Sequence, residues 1–421
     1  MLSIFSGMVA VAMLMVGQSV RAEENSHWHM NGYGTLGFIH DDSSNNSYVR
    51  DLTQRPENQH YIDNSWRRDT RLGLQVAYQA DPTFEIVSQI VLRDQVLKRP
   101  LNFLDWAHLT WRPMPDVDLR LGRIGFDLFL MSDHRNLTYA YPWVRPPAEY
   151  YSWVPLYSID GGDIAYSLRD KEGRWRLKAQ GGRGNLDFAM GLTGVYDFKT
   201  NNVITTSLLR EQGPWQFRVG YSHLTSTTEA SPLAPLHAGL DAIAGAGVPG
   251  VSEEAAYMRR NTSFDNVSFH YSTLGAVYDD GTWLVQSELA NVSTSADMVT
   301  NGHMAYLGLA RRISAWTPFV MVSGVRPHVD IYSSTQNWNS IGQGEFQTIA
   351  VATLNATRMS QETLSLGLRW DFNSRAALKW QLDTTHIHPN GYGLWYSDPT
   401  PAYRSQDEHV TTASFTLDFV F

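Results

Sequence analysis

The chain has 421 residues, of which 43% are hydrophobic, 18% charged and 12% aromatic, and it contains 32 glycines, 18 prolines and no cysteine. This composition excludes a disordered chain. The lack of cysteine excludes disulfides, thiolate metal sites, iron–sulfur clusters and thiol catalysis. A formal net charge of -9 argues against a nucleic-acid partner. No internal apolar run approaches the roughly 18 residues of a spanning helix, so a large globular chain or a membrane β-barrel remains.

The first 22 residues differ from the rest of the chain. Leu2 to Val16 carry no charge, and Ala22 offers a small residue just before a polar stretch. We therefore expect an export signal over residues 1–22 and a single mature domain over residues 23–421. Because this segment lacks the usual basic residue at its start, an amphipathic N-terminal helix of the mature protein is the alternative.

From Trp28 onward the dominant pattern is an alternation of apolar and polar residues over stretches of about ten residues, which is typical of strands and not of helices. Near the end of the chain, Leu364, Leu366 and Leu368 alternate with Ser365, Gly367 and Arg369. The last such stretch, 415–421, ends at Phe421. The pattern predicts an all-β fold in which each strand has one apolar and one polar face.

Two kinds of connection alternate along the chain. Seven are short, and eight are mostly longer and more polar; the longer ones are residues 41–67, 94–102, 127–159, 182–202, 224–264, 293–302, 328–359 and 388–408. This alternation predicts about 16 strands with both termini on the short-turn side, as in an outer-membrane β-barrel. Residues 182–202 contain strand-like pieces. Since another crossing would make the strand number odd, we interpret them as part of a loop or as a strand extension.

Aromatic residues recur directly after the short turns. Trp175, Trp215, Trp283 and Trp316 each open a strand, and Phe84 does the same after the first turn. Large amphipathic rings at one height are typical of the belt at a membrane interface. Tryptophans that begin buried strands of a soluble sheet would look alike, so this is an interpretation of the pattern.

If the apolar faces meet lipid, the polar faces surround an interior too wide for side chains to fill. Charges there stay hydrated and bias which solutes pass. The predicted inward-facing charges are Arg71, Arg93, Arg120, Arg176, Lys178, Arg218, Arg369 and Lys379, together with Glu85, Asp118, Glu288, Asp371, Asp383 and Asp418.

The third long connection is unusually rich in large apolar and aromatic residues for a solvated loop. We expect it to be buried against the barrel interior. Its rings are expected to pack the loop to the wall, with a stacking track for sugars as the alternative. These rings are Tyr139, Tyr141, Trp143, Tyr150, Tyr151 and Trp153.

In strand and loop number, in the bulky third loop and in the aromatic last strand ending at Phe421, the sequence resembles the sixteen-stranded trimeric porins of Gram-negative bacteria. The resemblance implies a transmembrane antiparallel β-barrel whose third loop folds into the lumen. It implies that Asp133, Arg135, Arg145 and Glu149, with Tyr139, Tyr141 and Trp143, form a constriction facing wall residues such as Arg71 and Arg120. It also implies that Phe421 serves as an assembly signal.

The predicted function is an outer-membrane porin for passive diffusion of small hydrophilic solutes or ions, with no enzymatic activity, no cofactor and no metal. Expected partners are outer-membrane lipid, lipopolysaccharide, the barrel assembly machinery and two further copies in a homotrimer, although the second loop is short for a trimer latch. A porin selective for carbohydrates or small organic acids is one alternative. A receptor or adhesin with a closed lumen and a soluble secreted β protein are others.

Two local patterns suggest chemistry that we do not favour. The spacing of His270 and Ser272 is that of barrel phospholipases, but we expect both side chains to point to the lumen, away from a lipid substrate. His386 and His388 could hold a metal at the loop rim, yet the sequence places no third ligand beside them.

Overall fold

The computed structural model describes residues 27–54, 64–97, 99–190, 194–228, 231–299, 301–397 and 401–421. The expected export signal at residues 1–22 lies outside these ranges. Within them the chain forms nineteen strands: β1 (Trp28–Asp41), β2 (Asn46–Tyr48), β3 (Asn64–Ser65), β4 (Arg71–Gln79), β5 (Phe84–Arg93), β6 (Leu104–Met114), β7 (Val117–Gly125), β8 (Ser158–Arg169), β9 (Arg174–Met190), β10 (Gly194–Gln212), β11 (Trp215–Thr227), β12 (Asp265–Asp279), β13 (Trp283–Thr294), β14 (Gly302–Arg311), β15 (Trp316–Pro327), β16 (Met359–Asn373), β17 (Ala376–Tyr392), β18 (Trp395–Ser397) and β19 (Glu408–Val420).

Sixteen of these strands form one closed antiparallel barrel, because β1 pairs with both β4 and β19 while every other long strand pairs with its neighbours in the chain. The short strands β2 and β18 pair with each other in a separate two-stranded sheet, and β3 adds two residues beside β1. The predicted all-β barrel and its strand number are confirmed. Closure leaves no unpaired edge, which is the requirement for a sheet that spans lipid.

The seam between the first and last strands is tight. The backbone N–H of Phe421 donates to the carbonyl of Gly32, and the N–H of Gly32 donates to the carbonyl of Phe421, both at 2.9 Å. The Phe421 ring lies over Gly32, where a Cβ would be 2.2 Å from the ring, and Phe419 covers Gly34 in the same way. Any larger residue at either glycine would displace an aromatic ring of the last strand.

The two faces of the strands are those that the alternation predicts. Leu364 and Leu366 are 46% and 51% exposed, whereas Ser365 between them is 2% exposed. On the next strand, Leu382 is exposed while Lys379 and Gln381 are buried. A soluble sheet would bury its leucine rows; here the apolar rows form the outer surface and the polar rows turn inward.

Exposed aromatic rings surround the barrel on its short-turn side. Trp175, Trp215, Trp283, Trp316 and Phe84 are all exposed. Three of them pair with rings on neighbouring strands that the turn pattern does not single out: Phe84–Trp111, Trp215–Tyr278 and Trp316–Trp370. Trp28 and Tyr78 form a further pair. The arrangement is that of an interfacial aromatic belt.

Residues 182–202 extend two barrel strands. Strands β9 and β10 continue as a hairpin beyond the barrel rim, with Met190 opposite Gly194. Of the two interpretations left open by the sequence, the strand extension is therefore correct for the described residues. The even strand number is preserved because the hairpin adds length and not a crossing.

The other long connections carry short helices. The helices are α1 (Ala148–Tyr151) in the third loop, α2 (Ala234–Ala244) and α3 (Val251–Asn261) in the fifth, α4 (Gly344–Leu354) in the seventh and α5 (Pro401–Arg404) in the eighth. Single 3₁₀ turns occur at Pro100–Asn102, Thr138–Ala140, Ser231–Leu233 and Trp338–Ile341. Over the described ranges, no helix combines the length and apolar character needed to cross a membrane.

The fifth and seventh loops are joined through one carboxylate. Glu254 on α3 accepts hydrogen bonds from the Ser334 hydroxyl at 2.8 Å, the Thr335 backbone N–H at 2.9 Å and the Trp338 indole at 2.8 Å. Burial raises the pKa of the Glu254 carboxyl, but these donors outweigh it and the pKa lies below its ordinary value. The long loops on this side therefore form a connected cap and not separate flexible arms.

Candidate channel site

The third loop, residues 126–157, begins on the wall formed by β9, β10 and β11. The Arg218 guanidinium donates to the carbonyls of Asp127 at 2.8 Å and Leu128 at 3.0 Å. The Ser207 hydroxyl donates to the Asp127 carboxylate at 2.6 Å. Because Arg218 and Ser207 are inward-facing wall residues, the loop is attached to the inner face of the barrel from its first residues.

The middle of the third loop contacts a different part of the wall, next to the seam where β19 pairs with β1. The Thr138 hydroxyl donates to the Asp418 carboxylate at 2.6 Å, and the Lys379 ammonium donates to the carbonyl of Trp143 at 2.9 Å. Lys379 and Asp418 themselves form an ion pair at 3.0 Å with both side chains fully buried. Each charge of this pair thus also holds the third loop.

The guanidinium of Arg145 makes four hydrogen bonds that join the third loop to the first loop and to the wall. It binds Asp69 through two hydrogen bonds, of 2.7 Å and 3.2 Å, and also donates to Asp383 at 3.1 Å and to the Ser414 hydroxyl at 2.6 Å. Arg50 of the first loop binds the same Asp69 at 2.7 Å. Burial would raise the pKa of Asp69, but Arg145 and Arg50 hold it well below its usual range. The first loop, the third loop and the wall meet here.

Glu149 is buried against uncharged wall residues. Its carboxylate accepts hydrogen bonds from the Ser323 hydroxyl at 2.7 Å, the Gln361 amide at 2.7 Å and the Thr363 hydroxyl. Nearby, Tyr151 donates to the buried Glu288 of β13. The loop therefore contacts the inner side chains of β13, β15 and β16 as well.

We expected the charged residues of the third loop to face basic wall residues, and the observed contacts are different. Arg145 binds acidic wall groups and Glu149 binds neutral ones. Arg135 turns back on its own loop, donating to the carbonyls of Val154 and Leu156 with its guanidinium 3.7 Å from the centroid of the Tyr157 ring. Burial lowers the pKa of Arg135. Of the four ionic residues, Asp133 alone is exposed.

The wall charges are mostly neutralised by neighbours. Arg71 donates to Asn136 of the third loop at 3.0 Å. The others pair with acids on nearby strands or on the loop: Arg93–Asp105 at 2.8 Å, Arg120–Asp163 at 3.0 Å, Arg176–Asp118 at 3.1 Å, Lys178–Asp127 at 3.7 Å and Arg369–Asp371 at 2.6 Å. These side chains lie on the strand faces opposite the exposed apolar rows, and their pairing along the wall leaves no broad basic face of the kind that we expected.

The rings of the third loop pack it to the wall. Trp143 is fully buried and meets Phe319 edge to face with ring centroids 6.3 Å apart. Tyr150 and Tyr151 pack on Phe129 of the same loop and on Tyr306 of β14. Tyr141 is also buried, and Tyr139 lies under the Arg369 guanidinium. The packing interpretation of these rings is supported, because rings buried in this way have no free face for a sugar.

Two cavities lie on either side of this packing. The smaller, of about 430 Å³, is lined by polar wall and loop groups that include Gln75, Gln89, Asp105, Asp133 and Asn136. The larger, of about 1040 Å³, lies under the long loops. Its lining is mostly apolar and includes Trp153, Phe188, Tyr196, Phe264, Phe269 and Trp395.

One face assignment from the sequence is wrong. His270 and Ser272 are exposed on the outer face, while Tyr271 and Thr273 between and beside them are buried inside. Tyr271 faces inward because the third loop offers Phe129 and Trp153 to pack against it. His270 exchanges a 2.8 Å hydrogen bond with the Tyr221 hydroxyl. This contact engages its Nδ1 with a phenol, whereas a catalytic pair would direct the imidazole to Ser272.

Several residues at the site were missed by the sequence analysis. Asp69 and Asn136 hold the loop, and Asp105 lines the smaller cavity. One signal existed for Asp69, since it is two residues before the inward Arg71 and so shares its face of the strand. Asn136 and Asp105 have no comparable local signature.

The barrel was compared with known proteins. No protein-family model and no curated protein matches the sequence. Among solved structures, OmpF of Salmonella typhi, in a complex with daunomycin, is similar with a TM-score of 0.52 at 11% identity, over 94% of this chain and 97% of that one. An anion-selective porin from Comamonas acidovorans has a TM-score of 0.52 at 12% identity, over 94% and 99%. The fold is that of the outer-membrane porins.

The outer-membrane protein OmpT of Vibrio cholerae is also similar, with a TM-score of 0.50 at 8% identity, over 94% of this chain and 99% of that one. Identities this low establish shared architecture and not shared solutes. Any argument about the function of this chain must therefore come from its own residues, and the third-loop contacts provide it.

Proposed function

We propose that the protein is an outer-membrane porin through which small hydrophilic solutes diffuse, with the third loop lying in the bore and setting its narrowest point. The observation that carries the proposal is the anchoring of one loop to inward side chains of strands around most of the barrel. An external loop that only capped the mouth would have no such partners. The apolar outer rows and the aromatic belt support the membrane location.

The distribution of wall chemistry supports a path for water on one side of the loop. On β12, β14 and β15 the inner wall presents Tyr271, Tyr306 and Phe319, against which the loop rings pack. On β4, β5 and β6 the inner wall is polar and lines the smaller cavity with Asp133 of the loop. In this proposal solutes pass the polar side, next to Asp133 and Asn136.

Removing residues 136–151 tests the proposal. The deletion takes away Thr138, Arg145 and Glu149 together, so the rest of the loop loses its anchors on β15, β16, β17 and β19. We expect a larger single-channel conductance in planar bilayers. A deletion of the same length in the fifth loop, residues 237–252, is the control and should change conductance much less. Unchanged conductance in the third-loop deletion, or no stable current steps in the parent protein, would refute a pore constricted by this loop.

A solute-selective porin is the second candidate, and the larger cavity favours it. Its aromatic and aliphatic lining lies on the long-loop side of the third-loop packing, where a solute would enter first. Such a surface suits solutes with an apolar face better than ions, since apolar contact is the main favourable term there. Block of ion current by micromolar aromatic solutes, without block by sugars, would support this version.

The oligomeric state is part of the proposal, because the family resemblance implies a homotrimer. The second loop gives no sign of a latch, since Asn102 donates to Asp187 of β9 at 2.8 Å and Arg99 lies 3.6 Å from the same carboxylate. The loop thus binds its own barrel. A heat-sensitive oligomer on gels would support a trimer held by barrel walls, and a monomer before and after heating would contradict it.

A further inference from the structure

A group of metal-ligating side chains lies on the outside of the barrel, away from the proposed pore. Glu362 of β16 is directly opposite His386 of β17, and His388 follows two residues later on the same face. Ile387 between the two histidines is fully buried. All three ligand side chains therefore point outward, near the long-loop ends of their strands.

The distances within the group suit a tetrahedral metal ion. The Glu362 Oε1 atom lies 3.2 Å from His386 Nδ1 and 3.4 Å from His388 Nε2. In a tetrahedral zinc site with metal–ligand bonds of about 2.0–2.1 Å, neighbouring ligand atoms are about 3.3 Å apart. The Glu362 oxygen thus lies at this spacing from both imidazole nitrogens, and all three ligand atoms lie within 4.8 Å of one another.

A second carboxylate lies against the opposite edges of both imidazoles. Asp407, in the eighth loop, places its Oδ1 atom 3.1 Å from His386 Nε2 and 3.7 Å from His388 Nδ1. A carboxylate on the ring nitrogen that does not bind metal fixes the tautomer of a histidine ligand and raises its basicity. This observation is independent of the ligand spacing. It assigns Nδ1 as the metal-binding nitrogen of His386 through the hydrogen bond at Nε2, while at 3.7 Å the Asp407 carboxylate only faces the second ring of the pair.

The remaining neighbours are compatible with a bound cation. Arg326 pairs with the Oε2 atom of Glu362, so Oε1 stays available. His409 stacks on His386 with ring centroids 4.4 Å apart, which limits rotation of that ring. Glu362 is 48% exposed and the two histidines about half of that, so an ion can exchange with solvent.

We propose that Glu362, His386 and His388 bind one divalent transition-metal ion of the zinc type, with Asp407 orienting His386. Imidazole and carboxylate ligands together suit zinc better than calcium or magnesium, which prefer oxygen ligands. The ion would fasten the outer ends of β16 and β17 to the eighth loop. The sequence supplies only the His386 and His388 pair; the third ligand lies on a neighbouring strand and becomes apparent with the register.

The test uses the full-length protein in detergent, stripped with a chelator and titrated with zinc chloride by calorimetry. We expect one ion per chain, and at least a tenfold loss of affinity in His388→Ala and in Glu362→Gln. Asp407→Asn is expected to weaken binding by about 10- to 100-fold, because the carboxylate that holds the His386 ring is lost. Cobalt in place of zinc should give the visible absorption of a tetrahedral site, and this spectrum should be lost in His388→Ala.

The matched control is His303→Ala. His303 and His328 form another outward histidine pair, with ring centroids 4.1 Å apart. Among the described residues, neither belongs to the group that could hold a metal ion. This variant should keep one zinc ion per chain. Equal loss in His303→Ala and His388→Ala, or full binding in His388→Ala, would overturn the site. Unchanged conductance in His388→Ala would show that the barrel of this variant is intact. The zinc titration therefore tests the metal site separately from the porin proposal.

Discussion

Arg145 shows how a single side chain can attach a long loop to several strands of a barrel wall. Its guanidinium makes four hydrogen bonds to two carboxylates and a hydroxyl, and a planar fork suits that geometry better than an ammonium would. Both Arg145 and Asp69 are almost completely buried. In such a place, removing one partner leaves the other charge without compensation, and this costs more than the pair itself contributes.

Arg145→Ala is therefore expected to destabilise the anchoring of the third loop by about 3–5 kcal/mol, the range for breaking a buried pair. Single-channel recordings should show larger and noisier current steps. Arg123→Ala is the control, because Arg123 pairs with the exposed Asp160 on the outer face, where ion pairs contribute about 0–1 kcal/mol. Quiet, parent-like channels in Arg145→Ala would argue against an anchoring role.

The same cluster predicts a pH dependence. Since the folded pKa of Asp69 is depressed, its contribution is fully present above the unfolded value of about 3.9 and is lost only as the pH falls through the lower folded value. Channel noise should stay constant from neutral pH down to about pH 4 and rise under stronger acid. Asp69→Asn should be noisy across the whole range. A noise transition between pH 5 and 7 in the parent would show that other groups control the loop.

At the scale of the element, each strand separates lipid from water by its two faces. Arg120 and Leu366 represent the inner and the outer face. Arg120→Glu puts a second acid beside Asp163, so the reversal potential should shift toward cation preference. Leu366→Arg places a charge on the lipid face, at a cost of about 2–4 kcal/mol near mid-membrane, and should reduce the folded barrel in the outer-membrane fraction. Similar effects of both variants on selectivity and assembly would contradict the face assignment.

Strand positions and faces could be predicted because period-two alternation is local: each strand carries its own evidence. The third loop could be predicted to be buried for a similar reason, from its rings alone. The partners of the third loop could not be predicted. Arg145 and Asp383 are brought together by barrel closure and by the path of the loop, and a stretch of ten residues contains no information about either. His270 was misassigned because an inner aromatic, Tyr271, imitates the outer pattern.

At the scale of the whole molecule, the barrel combines three zones. The outer surface is apolar, with an aromatic belt on the short-turn side and clustered histidines near the long-loop side. The inner wall is ionic but largely paired. The long loops form a cap joined through Glu254. Net charge and composition are compatible with many folds, so it is this separation of zones that indicates a membrane channel.

The seam has a consequence for closure of the sheet. Since Gly32 and Phe421 are joined by reciprocal backbone hydrogen bonds, the cylinder is held shut along β19 as far as Phe421. A chain shortened by the last few residues of β19 would keep nearly every strand, but its sheet would have two unpaired edges. The pairing of β1 with β19 is therefore what separates a closed cylinder from an open sheet.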